Sequence, residues 1–215
     1  MKEVWLSEWI YTSNRLSGSE LTLNDSLTIL KDQYILSKTI EDHLTIRNHE
    51  EAINYVNKII ALRESLSIEK IWTLHNLLVL EEEEHYRENN PVLQHMQYVP
   101  PHFKDIPNLM DTLLRWYRTQ TKEMNPVLRG VLMHHKLIEI YPFSHNTEKT
   151  ARALLNYELL RSGLPPIDFE MADDAYFKLI ARYLKKQDHS EFYEAICKKV
   201  YLRLELFLRL TDNDN

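Results

Sequence analysis

Glycine is almost missing from this chain: Gly18, Gly130 and Gly163 are the only three among 215 residues. So few glycines limit the number of turns with positive φ and leave little material for a glycine-rich loop around a phosphate. Cysteine is rarer still. Cys197 stands alone, so no internal disulfide can form, and it sits among apolar residues at helical spacing, as a small core residue does. A lone thiol suits a reducing compartment. No apolar run approaches the ~18 residues of a membrane span, and Met1 to Trp5 opens no apolar stretch of signal-peptide length. The expectation is a cytoplasmic protein with no membrane partner. An excess of positive charge is absent too: 26 Lys and Arg face 32 Asp and Glu, a formal charge of −6 with no basic cluster. Nucleic acid is therefore not an expected partner, because a phosphate backbone demands a basic stripe.

What fills the chain is helical periodicity, and the fold class is mainly α. Ala52, Ile53, Val56, Ile59 and Ile60 share one face. Ile68, Ile71, Trp72, His75, Leu78 and Val79 share another, with Ser67 placed to cap the helix. Ile106, Leu109, Met110, Leu113 and Leu114 mark a third. Asn125-Pro126 is a start signal, a capping side chain followed by proline at the first helical position. That helix runs to about Glu139, and a further one covers roughly 148–161 before Ser162-Gly163 stops it. Tyr176 to Leu184 and Ser190 to Leu210 complete the series. The run Glu81–Glu84 reads as a solvated helix end. The 86–101 segment breaks the pattern with Asn89-Asn90-Pro91 and Pro100-Pro101, and reads as a loop or short β-hairpin. If it is extended, Val92, Gln94, Met96 and Tyr98 share one face.

The stretch Tyr141-Pro142-Phe143-Ser144-His145-Asn146-Thr147-Glu148-Lys149-Thr150-Ala151-Arg152 resembles the signature H-P-F-x-D/E-G-N-G-R-x-x-R of the Fic (Fido) family. The flanks resemble it as well: Tyr86-Arg87, Val99-Pro100-Pro101, Asn125-Pro126-Val127 and Gly163-Leu164-Pro165-Pro166. Ser13-Asn14-Arg15-Leu16-Ser17-Gly18 resembles the family's inhibitory motif, S/T-x-x-x-E-G/N. The resemblance implies a Fic/Fido helical fold with a short β-hairpin flap. It divides the chain into an N-terminal helical segment over 1–50, a core over 51–170 and C-terminal helices over 171–215. It also implies transfer of AMP from ATP, with Mg²⁺, to a hydroxyl of a target protein held along the flap by main-chain pairing.

The chemistry such a transfer needs is largely substituted. Where the family has its base histidine stands Tyr141, a phenol that is protonated at neutral pH and is expected to donate one hydrogen bond. Where the family has its magnesium carboxylate stands His145, a poor ligand for a hard cation. His145 could serve instead as a replacement base, or join His134 or His135 around a softer metal, although the spacing matches no zinc signature. The G-N-G anion hole is replaced by Asn146-Thr147-Glu148, which removes glycine and puts a carboxylate where phosphates would sit. The structural alternative is that Asn146 or Thr147 caps the helix and Glu148 complements its dipole. Lys149 stands for the first arginine and loses its planar fork, while Arg152 matches the second. Arg152 is placed to meet a phosphate, or Glu148 one turn away. The inhibitory glutamate is replaced by Ser17. The leading reading is a pseudoenzyme that binds a protein partner through the flap, with a homo-oligomer or regulator as its form. An active transferase with altered base, metal or nucleotide use competes with it, and so does a nucleotide sensor without turnover.

Overall fold

The computed structural model describes residues 2–80, 85–171 and 175–212. Nine α-helices account for most of these: α1 Lys2–Leu16, α2 Leu23–Leu30, α3 Ile40–Ala61, α4 Ile68–Leu78, α5 Ile106–Gln120, α6 Pro126–Ile140, α7 Thr147–Arg161, α8 Ala175–Lys186 and α9 Ser190–Asp212. The expected run Glu81–Glu84 lies outside the described residues. No helix is long and apolar enough to cross a membrane among the described residues.

Local chemistry explains where the helices begin. Thr22 with Asp25, and Thr39 with Asp42, form reciprocal capping boxes that satisfy otherwise orphaned amides at the start of α2 and α3. Ser67 accepts from the Lys70 amide at the start of α4. Asn125 accepts from the Val127 and Leu128 amides ahead of Pro126, as expected for α6. At the other end of α7, Gly163 takes φ +77°, and the Leu164 amide reaches back to Leu159 O at 2.9 Å. A left-handed residue there closes the helix at no steric cost to glycine.

The centre of the molecule is α7. It pairs most extensively with α6 and also packs on α1, α3 and α4. Every residue from Thr147 to Leu159 except Glu148 is buried. A helix covered on all sides has no need of an amphipathic stripe, but α7 carries several polar residues inward, each of which needs a partner. Asn156 bonds the backbone of Ile167 in both directions at 2.9 Å. Glu158 accepts from Arg129 Nε at 2.7 Å and from the Tyr117 hydroxyl. The two central helices approach closely at Gly130, where a Cβ would stand 3.4 Å from Glu158 Cβ and from Leu155 O.

The expected hairpin flap takes another form. Among the described residues there is no strand, only one antiparallel bridge between Leu93 and Tyr98, closed around a 3-10 turn over Gln94–Met96. The expected common face is broken by that turn. Val92 and Gln94 are exposed, Met96 is fully buried, and Tyr98 is half-buried with its hydroxyl donating to Glu139 O at 2.9 Å. Helical winding replaces the two-residue alternation of a strand, so the side chains rotate apart.

Candidate functional site

The 141–146 loop joining α6 to α7 is the point on which the site turns. Tyr141 ends α6 in the left-handed region, φ +51° and ψ 62°. For a residue with a Cβ this conformation costs about 1–2 kcal/mol, so the surroundings must hold it. Arg87 does so. It is 1% exposed, and its Nε donates to Tyr141 O at 2.7 Å while its backbone amide donates to Pro142 O at 2.9 Å. Its two Nη atoms donate to Asn89 O and Pro101 O, which ties both ends of the flap to the loop. Phe143 anchors the other side. It is fully buried, stacked on His75 with ring centroids 3.7 Å apart and met edge-on by Trp72 at 4.9 Å.

Asn146 adopts φ +53°, so it keeps a backbone shape usual for glycine at the start of α7. Contrary to expectation, its side chain makes no capping bond. Thr147 does not cap the helix either; its hydroxyl accepts from the Phe143 amide at 3.2 Å and donates to Phe143 O at 3.3 Å. Those bonds knit the loop, and the first turn of α7 is served by Glu148 beside the helix dipole.

Glu148 is the anion at this helix start. The Tyr141 hydroxyl donates to both of its carboxylate oxygens at 3.2 Å, and His95 Nε2 from the flap stands 3.5 Å from Oε1. Burial pushes the Glu148 carboxyl up, but the His95 hydrogen bond, the helix-start backbone and the Arg152 charge together outweigh it and hold it below its ordinary range. Tyr141 is pushed the other way, upward, first by burial and then by the Glu148 charge. It is a hydrogen-bond donor here and not a base.

Arg152 lies deeper, at 0% exposure. Nε donates to Ser13 Oγ at 2.9 Å, Nη2 to Ser13 O at 2.8 Å and to Ser17 Oγ at 2.7 Å, and Nη1 to the Tyr176 hydroxyl at 3.2 Å. The i to i+4 pairing with Glu148 is not formed, because the guanidinium turns toward α1 instead. Lys149 is also buried; among the described residues its Nζ has only a long 3.5 Å contact with Leu78 O, and burial, helped by the Arg152 charge, brings its pKa down to about 7. Fully buried His49 stands within reach of both cations, and its imidazole is pushed well down by burial and then by Lys149 and Arg152.

Of the residues singled out in the sequence, Tyr141, Glu148, Asn146, Thr147, Lys149, Arg152 and Ser17 gather around the start of α7. His145 is exposed on the loop, and its charge is felt by buried His75. His134 and His135 do not join it around a metal. Both are buried on α6 and bonded to one another, Nδ1 to Nδ1 at 2.9 Å. No group of three or more His, Cys, Asp or Glu side chains converges on a metal position among the described residues. Tyr176, His75 and His95 were not legible as site residues, since each reads as an ordinary loop or helix residue; Arg87 was legible as part of a resembling flank, but its bonds to the motif loop appear only in the long-range contacts.

The fold and loop define a helical protein with a helix start built to face an anion and an arginine behind it. Residues 65–159 match the Fic/DOC family. The chain is 29% identical over 200 residues to the protein adenylyltransferase Fic of Nematostella vectensis, across 89% of this chain and 45% of that protein. The chain therefore spans less than half the length of that curated relative. Among solved structures, a Fic domain containing signaling protein from Bacteroides thetaiotaomicron superposes with a TM-score of 0.88 at 20% identity, over 95% of this chain and 86% of that one. IbpAFic2 covalently tethered to Cdc42 superposes with a TM-score of 0.60 at 18% identity, over 93% and 63%. Over residues 65–159 the chain is similar to the Fic (Fido) family, and its fold is that of Fic-domain structures.

The family implies ATP with Mg²⁺ at the start of α7, and the side chains present do not fit them. Glu148 places its own carboxylate at the helix start, the hydroxyl of Tyr141 is committed to it, and the loop offers His145 where a hard oxygen ligand is required.

Proposed function

We propose that this chain is a catalytically silent relative of the protein adenylyltransferases that works by binding a protein partner. The observation that carries the reading is Glu148, whose carboxylate accepts both bonds from Tyr141 and faces His95. An internal anion satisfies the helix start that a substrate phosphate would otherwise occupy, and it repels a second anion. The base position supplies a phenol raised above its usual pKa. Ser17 in place of a glutamate leaves Arg152 without a carboxylate, yet neutral acceptors already hold it.

The flap supports the partner-binding half of the reading. It exposes Val92 and Val99 at 63% and 62%, and it borders a groove of about 470 Å³ lined by Trp72, His85, Tyr86, Phe103, Lys104 and Pro107 among others. An aromatic groove beside the exposed apolar side chains of Val92 and Val99 suits an extended peptide segment. A structural neighbour is known tethered to another protein, Cdc42. The division into an N-terminal segment, a core and C-terminal helices, and a cytoplasmic setting, belong to the same proposal.

The test is transfer of label from α-labelled ATP to a cell lysate and to the chain itself, with and without Mg²⁺, beside calorimetry with ATP. No label and no heat are expected. Metal-dependent labelling would replace the reading with the active transferase of altered chemistry.

A further inference from the structure

A buried polar chain leads away from Arg152 that the proposed function does not use. Tyr176, near the start of α8, is 1% exposed. Its hydroxyl lies 3.2 Å from Arg152 Nη1 and 2.8 Å from His134 Nε2, and His134 Nδ1 lies 2.9 Å from His135 Nδ1. The direction of these bonds follows from proton counting. Arginine only donates, so the Tyr176 oxygen accepts from Arg152. The phenol hydrogen then needs an acceptor, and among the described residues His134 Nε2 is the one within reach. A neutral His134 that accepts at Nε2 carries its proton on Nδ1 and donates it to His135 Nδ1. His135 is left with its proton on Nε2. That Nε2 is buried with no partner among the described residues, so this assignment leaves one donor unmet; the reverse would strand the Tyr176 hydrogen and leave His135 Nε2 a bare buried acceptor, two unmet groups, which is the costlier arrangement. Burial keeps both imidazoles neutral, as the chain requires.

We infer that Tyr176 is the positioning residue for Arg152, passing a one-way series of donated hydrogens from the guanidinium through His134 to His135. Its ring adds a second hold, with the guanidinium carbon 5.3 Å from the centroid. With Ser13 and Ser17 on the other side, four of the five guanidinium hydrogens have acceptors within the protein. An anion arriving at Arg152 would find a single Nη1 hydrogen, not a fork. Which way the arginine faces is therefore decided as much by α6 and α8 as by α1. The consequence for anions rests on Arg152 being the surviving phosphate-facing arginine of the motif.

Histidine-selective ¹⁵N NMR of the wild-type chain at neutral pH tests the direction. The expected pattern is His134 protonated on Nδ1 and bare on Nε2, with His135 protonated on Nε2. In Tyr176→Phe the His134 tautomer should lose its fixed form and the Arg152 Nη signals should sharpen into fast rotation. Inorganic tripolyphosphate should bind the variant about tenfold more tightly, the worth of one hydrogen bond to a charged group. His134 protonated on Nε2 in the wild type would overturn the inference, and so would His134 and Arg152 signals that ignore the substitution. If those signals change while tripolyphosphate affinity stays constant, Tyr176 keeps its role and Arg152 loses its assignment as an anion ligand. The wild-type pattern decides the direction even where the variant fails to fold.

Discussion

Ser17 Oγ accepts a 2.7 Å hydrogen bond from Arg152 Nη2, although the two residues lie 135 positions apart. This contact seals the end of α1 onto the central helix and gives a buried cation a neutral partner. Ser17 is itself exposed, so water takes over part of the bond, and Ser17→Ala should cost about 1 kcal/mol, read as a lower urea midpoint with an unchanged denaturant slope. A shift within experimental error would mean that another acceptor replaces the serine.

Restoring the base alone should not restore chemistry. Tyr141→His leaves Glu148 at the helix start and His145 at the metal position, so label transfer should stay at background. Robust labelling by this single variant would show that Glu148 does not obstruct the site. Its companion, Glu148→Gly, removes the internal anion and should tighten tripolyphosphate binding, measured by calorimetry; an unchanged affinity would place Glu148 outside the anion's path.

Lys149 should make the fold more stable as pH rises. Its pKa falls from 10.5 in the unfolded chain to about 7 when buried, so below 10.5 the unfolded state binds the extra proton and folding loses stability down to about pH 7. The slope is at most about 1.4 kcal/mol per pH unit. Lys149→Met keeps the apolar stem and removes the charge. It should raise the melting temperature at neutral pH and flatten the rise on the alkaline side, and a lower melting temperature would mean that the ammonium group is satisfied.

Acid should act through the buried histidines. His75 is held down to about 3, first by burial and then by the charges of His145 and Lys149; His135 is also held to about 3, first by burial and then by His189. Both are neutral in the fold and charge freely once unfolded, near pH 6.5. The contribution of these two histidines is therefore fully present above pH 6.5 and is lost as pH drops toward 3, by up to about 1.4 kcal/mol per unit for each. Urea midpoints measured across that range should decline steadily from its upper end, and a flat response to pH 5 would show that the histidines gain partners on protonation.

Helix positions were legible because their causes are local. Ser67 and Asn125-Pro126 satisfy orphaned amides within three residues, and Gly163 supplies the left-handed stop two residues past α7, so the sequence marks these ends without knowledge of the rest. The polar positions of the motif were legible as substitutions, and the Tyr141 hydroxyl was legible as a hydrogen-bond donor, while its acceptor, Glu148, appears only in the structure. The flap was legible only as a loop or short hairpin, because its 3-10 turn depends on burying Met96 and anchoring Tyr98 to Glu139, contacts that no two-residue alternation records.

By itself, then, the sequence determined a mainly helical protein with a segment that resembles the Fic motif, because capping, periodicity and residue type act over a few positions. Only the tertiary structure decided where the charges point. Glu148 meets His95 across the flap, Arg152 turns to Ser13, Ser17 and Tyr176, and Lys149 is buried away from solvent. A buried charge takes the partners that packing brings to it, and here those partners come from helices far apart in the chain.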